Sequence, residues 1–469
     1  MLYNQALLLQ VYSQAYELTA RPQYRWAVQR QLRFLEQWMG DRGTGYYAAI
    51  DAESDGKEGH FYLVDEARLA GIAEPDRAAA GLTITPMPGR QGEFVTAMSH
   101  PDTAAAQRIR TALQQAGQER SPPFVDRKII TAWNAALLSG LAAAHRATRD
   151  DGEPPLVTRN QLEALGEQLW AGLFSADNTG LVRTYYDGRP GVEAGLEDYA
   201  WLLQATVDLY DATGNTLWLQ RGRVLATQLL AGFLAEDGSF SLASLQQNRS
   251  IAKQPATIRD AELPGADAVA VGALWQLGQR KGDSELARRL QPAIGQLRAK
   301  IRDQAPAQYS ATRVLADIDL GAVSLQQYFA GGRGMARLTL PPVGGDCSAA
   351  ELQIELTSGW HVNSAAPLQD YLIPTRVSVN TADGDPVAAV YPEGTVLALD
   401  FQPEPLSIYE GAVTIVIKGP RTKQWLPGAA FDIALQACSD QLCLPPETLI
   451  MRLPPALART RWRRCSSTF

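Results

Sequence analysis

The chain has 469 residues, more than one ordinary domain of about 150 residues, and its length indicates two or three domains. Hydrophobic residues make up 46% and charged residues 20%, which is the composition of a folded protein and excludes a disordered one. The net charge of −7 gives no general attraction to nucleic acid or to an anionic membrane surface. No stretch approaches the roughly 18 apolar residues of a spanning helix, so we expect neither a nucleic-acid partner nor a membrane span.

Residues 1–305 have the spacing of amphipathic helices. Met1 stands directly before such a pattern, without the basic and apolar regions of a signal peptide, so none is expected in this chain. A break between Thr19 and Pro22 makes the first two helices a hairpin, and similar hairpins recur to give about nine helices. Repeated hairpins predict an (α/α)6 six-hairpin toroid, here incomplete by about three helices at its start.

The pattern changes after the helices. Residues 306–344 contain clusters of Gly and Pro and are predicted to be a linker. Residues 345–455 hold period-two sets such as Val413, Ile415 and Ile417 between turn signals, and about eight short strands are typical of a β-sandwich. Residues 456–469 are rich in Arg and are predicted to be a basic, solvated tail.

The sharpest local signal is the pair Cys438 and Cys443, in a turn that follows a predicted strand. Two thiols this close in sequence can close a small ring that is reversibly oxidised. A structural disulfide or two free thiols on a hairpin fit the spacing as well, and the spacing leaves these alternatives open. A zinc site is not indicated, because no second Cys or His pair with ligand spacing accompanies the two thiols.

Five motifs follow one another in the segment with predicted strands. They are Gly359-Trp360-His361-Val362-Asn363-Ser364, Tyr371-Leu372-Ile373-Pro374-Thr375, Tyr391-Pro392, Tyr409-Glu410-Gly411, and Gln436-Ala437-Cys438 through Cys443-Leu444-Pro445-Pro446. Together they resemble the N-terminal periplasmic domain of the thiol:disulfide interchange protein DsbD and its relatives. The resemblance implies an immunoglobulin-like fold, a periplasmic location and a redox-active pair, here Cys438 and Cys443. That pair would exchange electrons with a thioredoxin-like or other redox protein.

The helical part has four motifs of its own. They are Met1-Leu2-Tyr3-Asn4-Gln5-Ala6, the acidic turn at 51–62, Asp126-Arg127-Lys128 with Thr131-Ala132-Trp133-Asn134, and Leu196-Glu197-Asp198-Tyr199-Ala200. In order and spacing they resemble the thioredoxin-domain-containing YyaL family, also called the spermatogenesis-associated type. In that family a thioredoxin-like domain precedes a toroid related to glycosidases and N-acylglucosamine 2-epimerases. This chain has no thioredoxin domain, so the resemblance implies a fold more than a reaction.

A carbohydrate site is the candidate for the toroid. Glu197 and Asp198 begin a predicted inner helix, where carboxylates also favour the positive end of the helix dipole without any catalysis. With Trp133 and Tyr199 nearby, the pair would suit a sugar, one carboxylate as acid and the other as base. This hypothesis requires the four residues to line one concave pocket.

These observations predict a thiol:disulfide exchange protein, a protein-disulfide oxidoreductase, joined to a toroid of unestablished activity. The alternative is a carbohydrate-active or carbohydrate-binding protein whose disulfide is purely structural. His361 is predicted to be structural. We expect no cofactor and no metal, because nucleotide-binding glycine motifs are missing and Tyr62 stands where a calcium loop needs a bidentate Glu.

Overall fold

The structure is a computed structural model that describes residues 1–40, 45–117, 120–149, 151–174, 180–245, 258–281, 284–320, 325–339, 349–380, 387–398, 404–418 and 429–452. The predicted basic tail at 456–469 lies outside the described residues. Among the helices of the described ranges, none is both long enough and apolar enough to cross a membrane.

Thirteen α-helices lie in the described ranges, most of them before residue 310. A π-helical turn, Leu35–Met39, extends the second helix. The helices are α1 (Leu2–Thr19), α2 (Pro22–Phe34), α3 (Glu66–Ala70), α4 (Glu74–Ala80), α5 (Ala104–Gly117), α6 (Thr131–Thr148), α7 (Arg159–Leu173), α8 (Leu196–Thr213), α9 (Leu217–Phe233), α10 (Ala266–Lys281), α11 (Ser284–Arg289), α12 (Gln291–Gln304) and α13 (Tyr309–Leu320).

The longer helices form the two layers that repeated hairpins predict. Helices α1, α6, α8 and α10 pack side by side in that order, and α2, α7, α9 and α12 lie behind them. Nearly every residue of α6 and α8 is buried, as expected for an inner layer, whereas α7 and α9 bury one face. Small residues allow the close approach of α1 to α6, since a Cβ at Gly140 would lie 2.9 Å from the carbonyl oxygen of Ala6.

The sequence predicts helices throughout residues 1–305, but short strands interrupt this part of the chain. Strands β4, β6 and β5 form an antiparallel sheet that packs with α3 to α5 around a small core of its own. The period-two burial of β5 and β6 explains why this segment is a sheet. The strands are β1 (Ala49–Ile50), β2 (Glu53–Ser54), β3 (Lys57–Glu58), β4 (Val64–Asp65), β5 (Leu82–Pro86), β6 (Glu93–Met98), β7 (Val125–Asp126), β8 (Ile129–Ile130), β9 (Thr184–Tyr186) and β10 (Arg189–Pro190).

The second part of the chain is built from antiparallel sheets. Their orders are β11-β12-β13-β19-β16, β17-β18-β14-β21 and β15-β20-β22. The strands are β11 (Gln326–Phe329), β12 (Gly334–Thr339), β13 (Ala349–Leu356), β14 (Trp360–Asn363), β15 (Arg376–Asn380), β16 (Ala388–Val390), β17 (Thr395–Leu397), β18 (Leu406–Glu410), β19 (Ala412–Lys418), β20 (Ala430–Leu435), β21 (Ala437–Ser439) and β22 (Glu447–Arg452).

These three sheets share one hydrophobic core. Ile415 and Ile417 point into it from the first sheet, Val362 from the second and Phe431 from the third. The period-two pattern on β19 therefore identified the buried face correctly. The immunoglobulin-like arrangement of the sheets stays a prediction.

The predicted linker at 306–344 is wrong for most of its length. Helix α13 packs on α10 and α12, and β12 pairs with β13 from Gly334 opposite Leu356 to Thr339 opposite Glu351. The Gly331-Gly332 pair, read as a linker signal, makes the tight turn between β11 and β12, with φ of 65° and 89°. The sheet region therefore begins near Gln326 rather than at 345.

Candidate functional site

Cys438 and Cys443 form a disulfide at one edge of the second sheet. The two residues also face each other as an antiparallel bridge, with their Cα atoms 4.0 Å apart. Backbone hydrogen bonds close the hairpin on both sides of the bridge: Ser439 N donates to Leu442 O at 2.9 Å, and Leu444 N donates to Ala437 O at 2.9 Å. The hairpin therefore has a backbone frame that does not depend on the sulfur–sulfur bond.

The two cysteines differ in their access to solvent. Cys438 is 2% exposed, whereas Cys443 is exposed. Disulfide exchange requires an incoming thiolate to reach one sulfur, so access selects which sulfur is attacked. This arrangement exposes Cys443 at the surface and keeps Cys438 within the protein.

Strand β14 lies between β18 and β21, and its pairing places His361 in one row with side chains of both neighbouring strands. His361 is opposite Cys438 on β21 and opposite Glu410 on β18. Directly opposite residues of antiparallel strands project from the same face, with their Cβ atoms about 4.5–5.5 Å apart. The row therefore runs Glu410, His361, Cys438 and, across the bridge, Cys443.

The His361 side chain is buried, with 4% of the residue exposed. Its Nε2 atom is buried and has no hydrogen-bond partner among the described residues. Burial lowers the pKa of His361, against the opposing influence of the Asp440 and Glu410 carboxylates. The lowered pKa favours the neutral form of the ring, and the His361 side chain lies on the face of the sheet that carries Cys438.

The residues of the predicted carbohydrate site occupy other environments. Asp198 is fully buried, and its carboxylate accepts hydrogen bonds from the backbone amides of Ala132 at 3.1 Å and Gly195 at 2.9 Å. Arg183 lies between Asp198 and Glu197, at 3.2 Å and 3.4 Å from their carboxylate oxygens. Burial raises the pKa of Asp198 to about 6 despite Arg183 and the two amides. Asp198 thus fastens the start of α8 to the start of α6.

The two predicted aromatic residues pack separately. Trp133 contacts Tyr3 edge to face, with ring centroids 4.9 Å apart. Tyr199 packs against Phe233, and its hydroxyl accepts a hydrogen bond from the Leu181 amide at 3.2 Å. The structure therefore brings Glu197 and Asp198 together around an arginine and gives each aromatic ring a packing role.

A cavity of about 250 Å³ lies between the inner helices, lined by parts of α1, α6, α8, α10 and α13. None of the four predicted carbohydrate residues lines it. Its wall includes Trp201 and Trp275, and also Gln204 and Gln276. The Trp201 Nε1 donor is buried and, within the described ranges, has no hydrogen-bond partner.

Charged groups also line this cavity. Burial raises the pKa of Asp208, and Arg146 opposes that rise. Gln204 Nε2 donates to the Asp208 carboxylate at 3.2 Å and to Gln276 Oε1 at 3.2 Å. Asp211 and Arg280 form a buried ion pair at the wall, with 8% of each side chain exposed.

The sequence of helix α8 carries a signal for this cavity, separate from the predicted carbohydrate residues. Trp201, Gln204, Asp208 and Asp211 follow each other at spacings of three or four within the otherwise apolar helix α8. Polar residues at that spacing lie on one face of a helix. A polar stripe on a helix buried all round indicates an internal polar space.

Comparisons with known proteins give partial matches. The chain is 26% identical over 328 residues to spermatogenesis-associated protein 20 of Homo sapiens, covering 59% of this chain and 41% of that protein. The Mus musculus protein of the same name is 28% identical over 270 residues, covering 47% of this chain and 34% of its own length. This chain therefore spans about two fifths of the human relative, and the similarity supports the resemblance to the spermatogenesis-associated family. No protein-family profile matches the chain.

Solved structures align over parts of the chain with low identity. Cellobiose 2-epimerase from Spirochaeta thermophila aligns with 65% of this chain and 60% of its own, at 14% identity and a TM-score of 0.40. The GH76 α-mannanase BT2949 of Bacteroides thetaiotaomicron aligns with 64% and 61%, at 12% identity and a TM-score of 0.37. The DsbD N-terminal domain of Neisseria meningitidis aligns with 26% of this chain and 85% of its own, at 12% identity and a TM-score of 0.20.

Proposed function

We propose that the sheet region exchanges disulfides with a partner protein through Cys438 and Cys443. The observation that carries this proposal is the unequal access of the two cysteines, one exposed and one buried. A disulfide that only staples a hairpin needs no such difference, whereas exchange needs one sulfur for the partner and one to resolve the mixed disulfide. The resemblance to the DsbD domain is the ground for proposing also an immunoglobulin-like sandwich, a thioredoxin-like partner and a periplasmic location.

The exchange conserves electrons. A partner thiolate attacks Cys443 Sγ, the Cys438–Cys443 bond breaks, and its electron pair passes to Cys438 Sγ, which becomes a thiol on taking up a proton. The second partner thiolate then attacks the mixed disulfide and releases Cys443. The partner dithiol is oxidised to a disulfide as the protein disulfide is reduced to two thiols, and the reverse sequence runs through the same intermediate.

Redox titration tests this proposal. The full sequence has two other cysteines, Cys347 and Cys465, and both are replaced by serine so that only this pair reports. The full chain with Cys347→Ser and Cys465→Ser is equilibrated with glutathione mixtures, and its thiols are then alkylated and counted. We expect a midpoint within the range of the glutathione couple. A pair that stays oxidised below about −300 mV would be a structural staple and would overturn the proposal.

Single-cysteine variants refine the assignment. With Cys438→Ser, the remaining Cys443 should form a mixed disulfide with oxidised glutathione rapidly, because it is exposed. With Cys443→Ser, the remaining Cys438 should react far more slowly because it is buried. Equal rates for the two variants would remove the asymmetry on which the proposal rests.

A second candidate function is carbohydrate binding in the cavity between the inner helices. Two indole rings offer flat apolar surface for a sugar ring, and the amides and the carboxylate of Asp208 offer hydrogen-bond partners for its hydroxyls. The buried, unpartnered Nε1 of Trp201 supplies a donor that no described residue satisfies. A small polyhydroxylated ligand fits this combination better than an apolar one.

Tryptophan fluorescence tests this candidate. Titration with a panel of monosaccharides should change the emission of the protein, and Trp201→Phe should reduce both the change and the affinity. Trp170→Phe is the matched control, because Trp170 packs against Phe174 and Arg221 and does not line the cavity. Glu197→Gln should leave binding unchanged; if it abolishes binding while Trp201→Phe does not, the sugar site is at the helix starts and the cavity is not involved.

A further inference from the structure

The buried Nε2 atom of His361 lacks a hydrogen-bond partner in the part of the chain that the structure describes. Burying a polar atom without a hydrogen bond is unfavourable, and most buried polar atoms in folded proteins have a partner. No described residue satisfies His361 Nε2, and the residue directly across the sheet is Cys438. The molecule therefore keeps a nitrogen base beside the buried cysteine of the exchange pair.

We propose that His361 accepts the proton of the Cys438 thiol when Cys438 resolves a mixed disulfide at Cys443, a role that rests on the disulfide exchange proposed above. The reduced protein first reacts through Cys443, whose thiolate attacks a partner disulfide and releases the first partner thiolate. The proton of Cys438 then passes to His361 Nε2, and Cys438 Sγ attacks Cys443 Sγ. The internal disulfide forms, the bond to the partner breaks, and the second partner sulfur leaves as a thiolate that takes up a proton. Two protein thiols are oxidised and one partner disulfide is reduced.

The neighbours of His361 suit this role. The charged groups that face the ring are Glu410, across the sheet on β18, and Asp440, in the hairpin that follows β21. Burial lowers the pKa of the ring, so it is neutral and able to accept a proton near pH 7. Once the proton has moved, the two carboxylates stabilise the imidazolium. A thiol, an imidazole and a carboxylate in line are the usual components of an activated cysteine.

A chromogenic aromatic disulfide separates the two chemical steps. The reduced full chain with Cys347→Ser and Cys465→Ser releases one equivalent of aromatic thiolate when Cys443 reacts and a second when Cys438 resolves the mixed disulfide. Each release is followed by absorbance as a function of pH. In the parent protein we expect the rate of the second release to be level above about pH 6.5 and to fall at lower pH as His361 becomes protonated.

The variant His361→Gln removes the base and keeps a polar side chain of similar length. We expect the first release to be unchanged and the second to slow by about 100-fold at pH 7, with a rate that rises with pH as for an unassisted thiol. His361→Asn serves as the second variant if the first unfolds, and the pH profile of the parent protein needs no variant.

The outcomes are distinct. A second release that keeps its rate and its pH profile in His361→Gln, or a parent rate that rises steadily from pH 5 to 8, overturns the role of His361. A parent protein that releases no second equivalent refutes the disulfide exchange itself.

Discussion

The helical region and the sheet region bury ionisable groups in opposite ways. In the helical region, Asp211 and Arg280 are buried together, and Asp198 is buried against two backbone amides. In the sheet region, His361 is buried with a nitrogen that has no hydrogen-bond partner among the described residues, next to a cysteine pair that reaches the surface. Buried ionisable side chains whose hydrogen bonds are satisfied hold neighbouring helices together. A buried side chain without a hydrogen-bond partner, next to a cysteine pair, is available for chemistry.

The difference follows from how each region holds its backbone. Neighbouring helices satisfy their backbone hydrogen bonds internally, so side chains must fix one helix against the next. Asp198 ties α8 to α6, and Arg280 ties α10 to α8. In the sheets, backbone ladders already join β14 to both neighbours, so the row of side chains above them is not needed for that purpose.

The largest effect on stability is expected when the buried ion pair between Asp211 and Arg280 is broken. Arg280→Met leaves the Asp211 carboxylate buried without its charged partner, and we expect the free energy of unfolding to fall by about 3–5 kcal/mol. Arg298→Met is the control, because its pair with Asp319 has 52% and 51% of the side chains exposed, and exposed ion pairs contribute little to stability. Urea unfolding measures both. Equal losses in the two variants would show that the buried pair has no special structural role.

The second-largest expected effect is the pH dependence of the free energy of unfolding that Asp198 causes. Its pKa of about 6 in the folded protein lies above the ordinary value of 3.8, so the folded state binds the proton more tightly than the unfolded state. The resulting stabilisation is complete below about pH 3.8 and is lost as the pH rises through about 6, by an amount on the order of 3 kcal/mol. The stability of the parent protein relative to Asp198→Asn should therefore decrease between pH 4 and pH 7.

Glu197→Gln is the matched control for this experiment. Glu197 is adjacent and binds the same arginine, but it is partly exposed, with 27% of its side chain accessible. We expect this variant to keep the pH profile of the parent protein. Parallel profiles for the parent and Asp198→Asn would contradict the assignment of the titration to Asp198.

Part of this architecture could be predicted from local patterns. The helical hairpins, the period-two strand β19 and the Cys438–Cys443 pair each depend on residues close in sequence, and the structure contains all three. Strand β12 was missed because its identity depends on pairing with β13, while the turn glycines at 331 and 332 favoured a linker.

The candidate sites depended on contacts between distant residues. Cys438 was recognised from its local partner, but His361 comes from a strand far away in sequence, and its alignment with Cys438 depends on strand register. The cavity likewise needs side chains from separate helices, so Trp201 and Asp208 carried no local motif. The prediction for Asp198 started from its correct position at a helix start, where the structure shows it binding backbone amides.

A third, smaller effect concerns reduction of the disulfide. The ring joins cysteines at a sequence separation of 5, and closing so short a loop stabilises a protein by about 2 kcal/mol in the chain-entropy model. Because backbone hydrogen bonds frame the hairpin, reduction should lower the free energy of unfolding by no more than this and leave the sheets folded. Urea unfolding of the oxidised and reduced forms, with Cys347→Ser and Cys465→Ser, measures the difference. Unfolding on reduction alone would favour the structural staple.

The smallest expected effect concerns Glu410, the carboxylate that lies opposite His361 across the sheet. Glu410 is exposed, so its support of a protonated His361 is weakened by solvent, and cross-strand charge pairs contribute only about 0.2–1 kcal/mol. Glu410→Gln should therefore slow the second thiolate release only a few-fold, and added salt should remove the difference because it screens exposed charges. The control is Glu355→Gln, which changes an exposed glutamate on a strand of the first sheet and should have no effect.

If Glu410→Gln slowed the second release as strongly as His361→Gln, the carboxylate would be essential to the proton transfer. If it matched Glu355→Gln, His361 would act without help from β18, and Asp440 would be the remaining carboxylate that stabilises its charged form.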